Sequence, residues 1–333
     1  MTVLVYLRWP EACFRANRSD LDFLRSLLPP SAKVTEAKSE RGFLKALPEA
    51  THVITWRFRR EWYALAPKLR LLATPAAGKE LIDPPLSNLQ PSTFNLSHQP
   101  PTFNLHFGHY HGEIMAENVA AFCLAFSRGF FSLAGAPSAW PRAWLSHRRV
   151  FTLAGTKAVI AGYGNVGRAI GAKLAALGVE VHGLTHAECD RLFTRGTECR
   201  VHGCGAHVGA ARSAADWFIL ALPSTTGTDD FLDAKLISKL PRRCVVINVG
   251  RGNAIDEAAL VAALRRRRLA GAYLDVLKAE PSGTVPLFKG AETELAERWR
   301  EVPNLFVTPH SSAFSADYLQ RAFAELAADG CLK

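Results

Sequence analysis

The chain has 333 residues, 48% hydrophobic and 21% charged, which fits about two globular domains with a sizeable core and excludes a disordered polymer. No apolar run reaches the ~18–20 residues of a membrane span, and the first ten residues lack a secretory signal's basic start and cleavage site. A cytoplasmic protein with no membrane partner is therefore expected.

In chain order, residues 3–7 read as a strand and 21–28 as a helix stopped by Pro29-Pro30. Residues 53–55 read as a strand, 61–65 as a short helix, and 69–74 as a strand leading into Pro75-Ala76-Ala77-Gly78. Residues 84–103 are rich in Pro, Ser, Asn and Thr and read as loop with one buried strand end. The composition shifts over 103–108, and a long apolar helix is expected from near Glu113 to about Ser127, which places a domain boundary there. From residue 150, strand patterns at 158–161, 179–184, 217–222, 245–249, 271–274 and 305–308 alternate with helical ones. That alternation implies a parallel sheet with helices on both faces, and function at the carboxyl ends of its strands. No internal repeat is present at 20–50 residues.

The formal net charge of +10 is compatible with nucleic acid and with small anionic substrates. The one dense basic run, 265–268, ends the helix pattern of 257–264, where the helix dipole favours cations. It reads as a solvated helix end, and no nucleic-acid partner is expected. Seven cysteines, an odd and scattered set, point to free thiols in a reducing compartment. Cys199, His202, Cys204 and His207 fall within nine residues, but their spacing is not that of a zinc finger. They read as part of a variable loop, and no metal is expected.

Residues 159–171, V-I-A-G-Y-G-N-V-G-R-A-I-G, carry a strand, then Gly162, Gly164 and Gly167 in G-x-G-x-x-G spacing, then a helix. The three glycines suit a tight turn, close backbone approach to a pyrophosphate, and helix–strand packing. The helix that starts there turns N–H groups and the positive end of its dipole toward phosphates. A dinucleotide site is thus expected at this loop. The strand of 179–184 ends in Thr185-His186, with no acid to receive ribose hydroxyls. NAD(H) and NADP(H) both stay open, and the missing carboxylate favours NADP(H); no arginine follows immediately to hold a 2′-phosphate, Arg191 and Arg195 coming later, and Glu188 is within reach of a ribose.

Four segments give the chain a familiar outline: Gly162–Gly167; Ala215-Asp216 with Leu220-Ala221-Leu222-Pro223-Ser224-Thr225; Ile247-Asn248-Val249-Gly250-Arg251-Gly252 with Asp256-Glu257; and Leu274-Asp275-Val276, Glu280-Pro281 and Thr308-Pro309-His310. Together they resemble the D-isomer-specific 2-hydroxyacid dehydrogenase family over most of residues 68–315, including its glyoxylate/hydroxypyruvate reductase-like members. The resemblance implies an α/β fold: a Rossmann-type doubly wound parallel sheet over 107–311 and a smaller flavodoxin-like substrate domain from 1–106 plus 312–333. It also implies an oxidoreductase moving a hydride between NAD(P)H and a small 2-oxo or D-2-hydroxy acid. By resemblance, cofactor contacts fall on Gly162, Gly164, Asn165, Val166, Gly167, Thr185, His186, Leu222, Pro223, Thr228, Val249, Gly250, Arg251, Asp275 and His310. A homodimer follows from the family's habit and the apolar helix with its tail Phe130-Phe131.

The chemistry explains why the catalytic residue types belong together. A 2-oxo acid that accepts a hydride needs its carboxylate held, its carbonyl polarised and a proton supplied. Arginine's planar fork suits the first two tasks, and Arg251 matches that role. His310 matches the acid/base, and Glu280 the carboxylate that orients the imidazole and favours its protonated form. In the first half, Ala77 and Gly78 match backbone amides that meet the substrate carboxylate in the family. His111 stands where the family tends to have a hinge Asn. Trp56 and Arg57 end a strand and face either the cleft or the packing behind it. Residues 289–300 are charged and read as a surface helix. The alternative reading is a nucleotide-sensing scaffold, corepressor-like, on the same fold; a formate-type relative is disfavoured because such enzymes carry Gln at the place of Glu280.

Overall fold

Five short strands organise the N-terminal part of the chain: β1 (Thr2–Tyr6), β2 (Lys33–Glu36), β3 (His52–Thr55), β4 (Leu71–Thr74) and β5 (Asn104–Phe107). They lie side by side in the order β2-β1-β3-β4-β5, every pair parallel. This is the flavodoxin-like order. β3 and β4 are buried along their whole length, as parallel strands covered on both faces must be. The helix Arg18–Ser26 begins with a capping box between Asn17 and Asp20 and packs against the helix Tyr318–Ala328. Phe43, Phe58 and Trp62 fill one side of the sheet, with ring centroids 5.2–6.4 Å apart.

The computed structural model describes residues 1–9, 12–78, 81–84, 103–133, 150–184, 215–278, 299 and 301–332. They divide into two units: Met1–His111 with Phe314–Lys333, and the described residues between Gly112 and Ala313.

The second unit is built on β6 (Lys157–Ala161), β7 (Glu180–Leu184), β8 (Trp217–Leu220), β9 (Val245–Asn248), β10 (Gly271–Leu274) and β11 (Leu305–Val307). Their order is β11-β10-β9-β8-β6-β7, again all parallel. The inner strands β6, β8, β9 and β10 are almost wholly buried, and alternate residues feed two cores. Val159, Ala161, Phe218, Leu220 and Val246 point to one, together with Leu260 and Leu264 of the helix Glu257–Arg265. Ala158, Ile160, Trp217, Ile219 and Ile247 point to the other, under the helices His111–Ser127 and Asn165–Ala176. The chain leaves β6 toward β7 on one side, while β8 lies on the other. This reversal marks the topological switch point, where such sheets open a crevice. The parallel α/β sheet expected from the strand–helix alternation, and the Rossmann-type class that the resemblance implies, are the ones observed.

Several elements differ from the pattern-based reading. β2 and β5 were not expected as strands because both are sheet edges with exposed, polar positions and no apolar run. The helix Glu40–Ala46, capped by Ser39, is too short to show periodicity. Three strands stop earlier than the apolar runs: β8 at Leu220, β9 at Asn248 and β11 at Val307. The residue after each end still donates its N–H to the neighbouring strand, Ala221 to Ala161, Val249 to Leu220 and Thr308 to Leu274.

Candidate active site

The glycine loop begins where β6 stops. Gly162 has φ +90°, and its N–H and that of Tyr163 donate to the Leu184 carbonyl at 3.1 and 2.9 Å. A Cβ on Gly162 would lie 2.5 Å from the Ala221 carbonyl oxygen, and one on Gly167 only 2.2 Å from the Gly162 oxygen. At Gly164 the situation is opposite: a Cβ would meet no atom within 4 Å. Gly164 is the N-cap of the Asn165–Ala176 helix, and no side chain caps that helix start. An open backbone face with helix-end amides beside it suits a pyrophosphate. Val166 is half-buried against the core, and Gly164 and Asn165 are exposed.

Tyr163 was not singled out from the sequence, yet it shapes the loop. A Cβ on Gly183 of β7 would fall 2.2 Å from its ring, and one on Gly171 would fall 2.7 Å from its hydroxyl. The ring therefore occupies space that two glycines leave clear.

The backbone at Ala221-Leu222, just past β8, is approached from both sides. Gly162 comes from β6, and a Cβ on Gly250 past β9 would lie 2.6 Å from both the nitrogen and the oxygen of Leu222. Leu222 and Val249 are buried and Pro223 is exposed. Thr228 is buried, and its hydroxyl contacts the Pro223 carbonyl at 2.7 Å, closing the turn that follows β8.

Arg251 leaves the end of β9 with extended backbone and is half-buried. Asn248, 1% exposed, braces that turn: its Oδ1 accepts the Gly250 N–H at 3.1 Å, and its Nδ2 donates to the Arg251 carbonyl at 3.0 Å. The Arg251 guanidinium donates to the Gly250 carbonyl at 3.0 Å.

His310 lies past β11 on a turn with φ +50°, a left-handed conformation uncommon outside glycine. Asp275, past β10 and 1% exposed, holds this turn. Its carbonyl accepts the His310 N–H at 2.8 Å. Its Oδ1 accepts the Thr308 hydroxyl at 2.6 Å and the Ser311 N–H at 2.7 Å, and its Oδ2 accepts the Ser312 N–H at 3.0 Å. Expected among the cofactor contacts, Asp275 directs both carboxylate oxygens into the His310 turn. Gly162–Gly167, Leu222, Arg251, Asp275 and His310 all leave the carboxyl edge of the same sheet. Asn248 and Thr308 stood inside the quoted motifs; a polar residue closing an apolar strand run was the signal that could have singled them out.

Other candidates fall elsewhere. In the first unit Ala77 is exposed and Gly78 half-buried, on the loop past β4. There, the Gly108 N–H donates to the Thr74 and Ala76 carbonyls at 3.0 and 3.1 Å. His111 is buried, stacked on Tyr110, with Nε2 2.8 Å from the Tyr318 hydroxyl. Trp56 is packing: it is 7% exposed, donates to the Phe14 carbonyl at 2.8 Å and lies against Phe14 and Tyr318. Thr185, His186, Glu188, Arg191, Arg195, Glu280 and the Cys199/His202/Cys204/His207 cluster lie outside the described residues. Within 289–300 only Trp299 is described, and it is buried in the core. Among the described residues, one group of three could ligate a metal: His106, Glu325 and Asp329. His106 Nε2 is 3.0 Å from Asp329, but its buried Nδ1 has no partner, whereas a ligating imidazole normally donates from its other nitrogen. The group reads as an ion pair between β5 and the Tyr318–Ala328 helix. No helix among the described residues is long and apolar enough to cross a membrane.

Residues 121–312 match the family model described as "D-isomer specific 2-hydroxyacid dehydrogenase, NAD binding domain". A D-3-phosphoglycerate dehydrogenase of Mycobacterium leprae is 27% identical over 290 residues, covering 85% of this chain and 49% of its own length. A glycerate dehydrogenase of Methylorubrum extorquens is 26% identical over 261 residues, covering 76% and 72%. The chain thus spans about half the length of the phosphoglycerate dehydrogenases it matches. Among solved structures, an NAD-complexed D-isomer specific 2-hydroxyacid dehydrogenase from Lactobacillus delbrueckii ssp. bulgaricus superposes with TM-score 0.74, at 15% identity over 99% of this chain and 96% of that one.

Proposed function

The chain belongs to the D-isomer specific 2-hydroxyacid dehydrogenase family, and from that premise we propose that it is an NAD(P)-dependent oxidoreductase that interconverts a small 2-oxo acid and its D-2-hydroxy acid. Glyoxylate and hydroxypyruvate are the favoured substrates. The observation that carries the reading is the common origin of three features on one carboxyl sheet edge: the glycine loop with its open face at Gly164, the braced Arg251, and the clamped His310.

The bound nicotinamide would supply or accept the hydride. The loop 162–167 would cradle the pyrophosphate. Arg251 would hold the substrate carboxylate and lean on the carbonyl oxygen through its planar fork. His310 would donate a proton to that oxygen as charge develops and take it back in the reverse direction. Asp275 would act from behind, by fixing the turn that carries His310. Glu280 is proposed as the carboxylate beside the imidazole. Ala77 and Gly78 would meet the substrate carboxylate through their backbone amides. The lack of an acid at Thr185-His186 favours NADPH over NADH. A homodimer in the cytoplasm completes the reading.

Nicotinamide absorbance with glyoxylate, hydroxypyruvate, pyruvate and a wider 2-oxo acid panel, run with both NADH and NADPH, tests the proposal. Turnover with none of them overturns the dehydrogenase reading in favour of a nucleotide-sensing scaffold.

A further inference from the structure

Tyr273, the third residue of β10, is 3% exposed and carries a hydroxyl that nothing so far uses. That oxygen lies 2.7 Å from Oδ1 of Asn118 and 2.9 Å from Oγ1 of Thr308. Thr308 Oγ1 in turn donates to Asp275 Oδ1 at 2.6 Å. A continuous line of polar atoms thus runs from the His111–Ser127 helix, along the sheet face it covers, to the residue that clamps the His310 turn. Phe122, one helical turn beyond Asn118, stacks on Tyr273 at 4.7 Å and 19° and holds the ring in place.

Counting protons gives this line a direction. Tyr273 has one hydroxyl proton, Thr308 has one, and the Asp275 carboxylate has none. The 2.6 Å contact to a charged oxygen claims the Thr308 proton. Tyr273 must then donate across the 2.9 Å to Thr308, since otherwise lone pairs would face each other at hydrogen-bond distance. The 2.7 Å contact at Asn118 consequently needs a proton from the amide. Turning that amide by half a rotation, so that Nδ2 faces Tyr273, supplies it, because amide oxygen and nitrogen have nearly the same shape.

We propose that Asn118, Tyr273 and Thr308 are positioning residues for His310, joined in a one-way donor chain that runs Asn118 Nδ2–H to Tyr273, Tyr273 O–H to Thr308, and Thr308 O–H to Asp275. The chain ends on the carboxylate that also receives the Ser311 and Ser312 N–H groups, which follow directly on the left-handed His310. A buried carboxylate with three donors directed at it keeps one geometry, and the imidazole inherits it. The inference rests on the reading of His310 as the acid/base.

The test compares Tyr273→Phe, Thr308→Val, Thr308→Ser and Asn118→Asp with the unaltered protein, and His310→Gln as a reference. Turnover, cofactor affinity by fluorescence, thermal midpoint and the NMR signal of the His310 imidazole are measured on each. Tyr273→Phe and Thr308→Val should lower kcat about tenfold, a fraction of the 10²–10⁴ a positioned acid supplies, with cofactor affinity retained and the imidazole signal displaced. Thr308→Ser, which keeps the hydroxyl, should restore both. Asn118→Asp should behave like Tyr273→Phe, because an ionised carboxylate cannot donate. Asn118→Asp with normal turnover and an unmoved imidazole signal would overturn the direction of the chain. An unmoved signal and full kcat in both Tyr273→Phe and Thr308→Val would overturn the positioning role. If His310→Gln keeps its turnover, the acid/base reading fails on its own, and the imidazole signal still decides whether the chain orients that ring.

Discussion

The N–H of His310 donates to the carbonyl oxygen of Asp275 at 2.8 Å, and the carboxylate of the same aspartate takes the N–H groups of the next two residues. One buried residue at the end of β10 thereby sets the backbone of the turn that presents the candidate acid. In an open parallel sheet, neighbouring strand ends are the rigid points from which a catalytic loop can be held.

Replacing His310 by Ala should lower turnover by about 10²–10⁴-fold, the range for a general acid, and leave cofactor binding near normal. Steady-state kinetics beside cofactor titration separates the two effects. Near-full turnover in a variant that binds cofactor normally would falsify the acid/base assignment.

Asp275→Ala removes the acceptor from the Thr308 hydroxyl and from two N–H groups. Each buried donor left unpaired costs about 1–3 kcal/mol. The unfolding free energy should fall by at least ~2 kcal/mol, and activity should drop with it. Urea denaturation measures the first; a variant as stable as its parent would show that the clamp carries no net energy.

Gly164 and Gly167 should separate binding from folding. Gly167→Ala drives a Cβ to within 2.2 Å of the Gly162 oxygen and should destabilise the fold by about 1–3 kcal/mol. Gly164→Ala clashes with nothing in the protein, so its melting should be unchanged. Its methyl group would occupy the side proposed for the pyrophosphate, and cofactor affinity should fall by about tenfold or more, some 1.4 kcal/mol. Equal cofactor affinity in Gly164→Ala and the parent would remove the loop from the binding site.

Gly183→Ala should destabilise by about 1–3 kcal/mol, because its Cβ would enter the Tyr163 ring. Adding Tyr163→Ala removes the obstacle, so the two changes should be strongly non-additive in a double-mutant cycle. Additive losses would mean that the ring does not impose the glycine.

Tyr273 also predicts a pH effect. Burial first, then the Asp275 carboxylate, pushes its hydroxyl from 10.0 to about 12. A group with a raised folded-state pKa holds its proton more tightly when folded, so this stabilisation is complete below pH 10 and is lost as pH rises through about 12. Over that window the unfolding free energy should fall by at most about 3 kcal/mol, at 1.36 kcal/mol per pH unit. Tyr273→Phe should flatten that part of the curve in urea unfolding, and an unchanged slope would show that other groups produce it.

Much of the nucleotide-side fold was legible because its strands are apolar runs and its turns are glycines. Gly162, Gly164 and Gly167 could be read from spacing alone, since backbone geometry leaves few residues eligible. The edge strands β2 and β5 were not legible, because edges are paired on one side only and keep polar residues. The supports of the candidate site were hidden for another reason. Asn248, Tyr273 and Thr308 matter through contacts made across strands, and Asn118 reaches Tyr273 from 155 residues away in sequence. Local patterns carry no trace of such pairings. Tyr163 was invisible for the same cause, since its partner Gly183 lies on the next strand.

The left-handed backbone of His310 has an energetic consequence. A residue with a Cβ held at φ +50° sits about 1–2 kcal/mol above a relaxed conformation, and glycine or asparagine would be more at ease there. On backbone energetics alone glycine is favoured at this position, and a histidine that acts as the proposed acid would be held there against that preference. His310→Gly and His310→Asn should melt above the parent protein. In these two variants heat resistance and turnover should move in opposite directions.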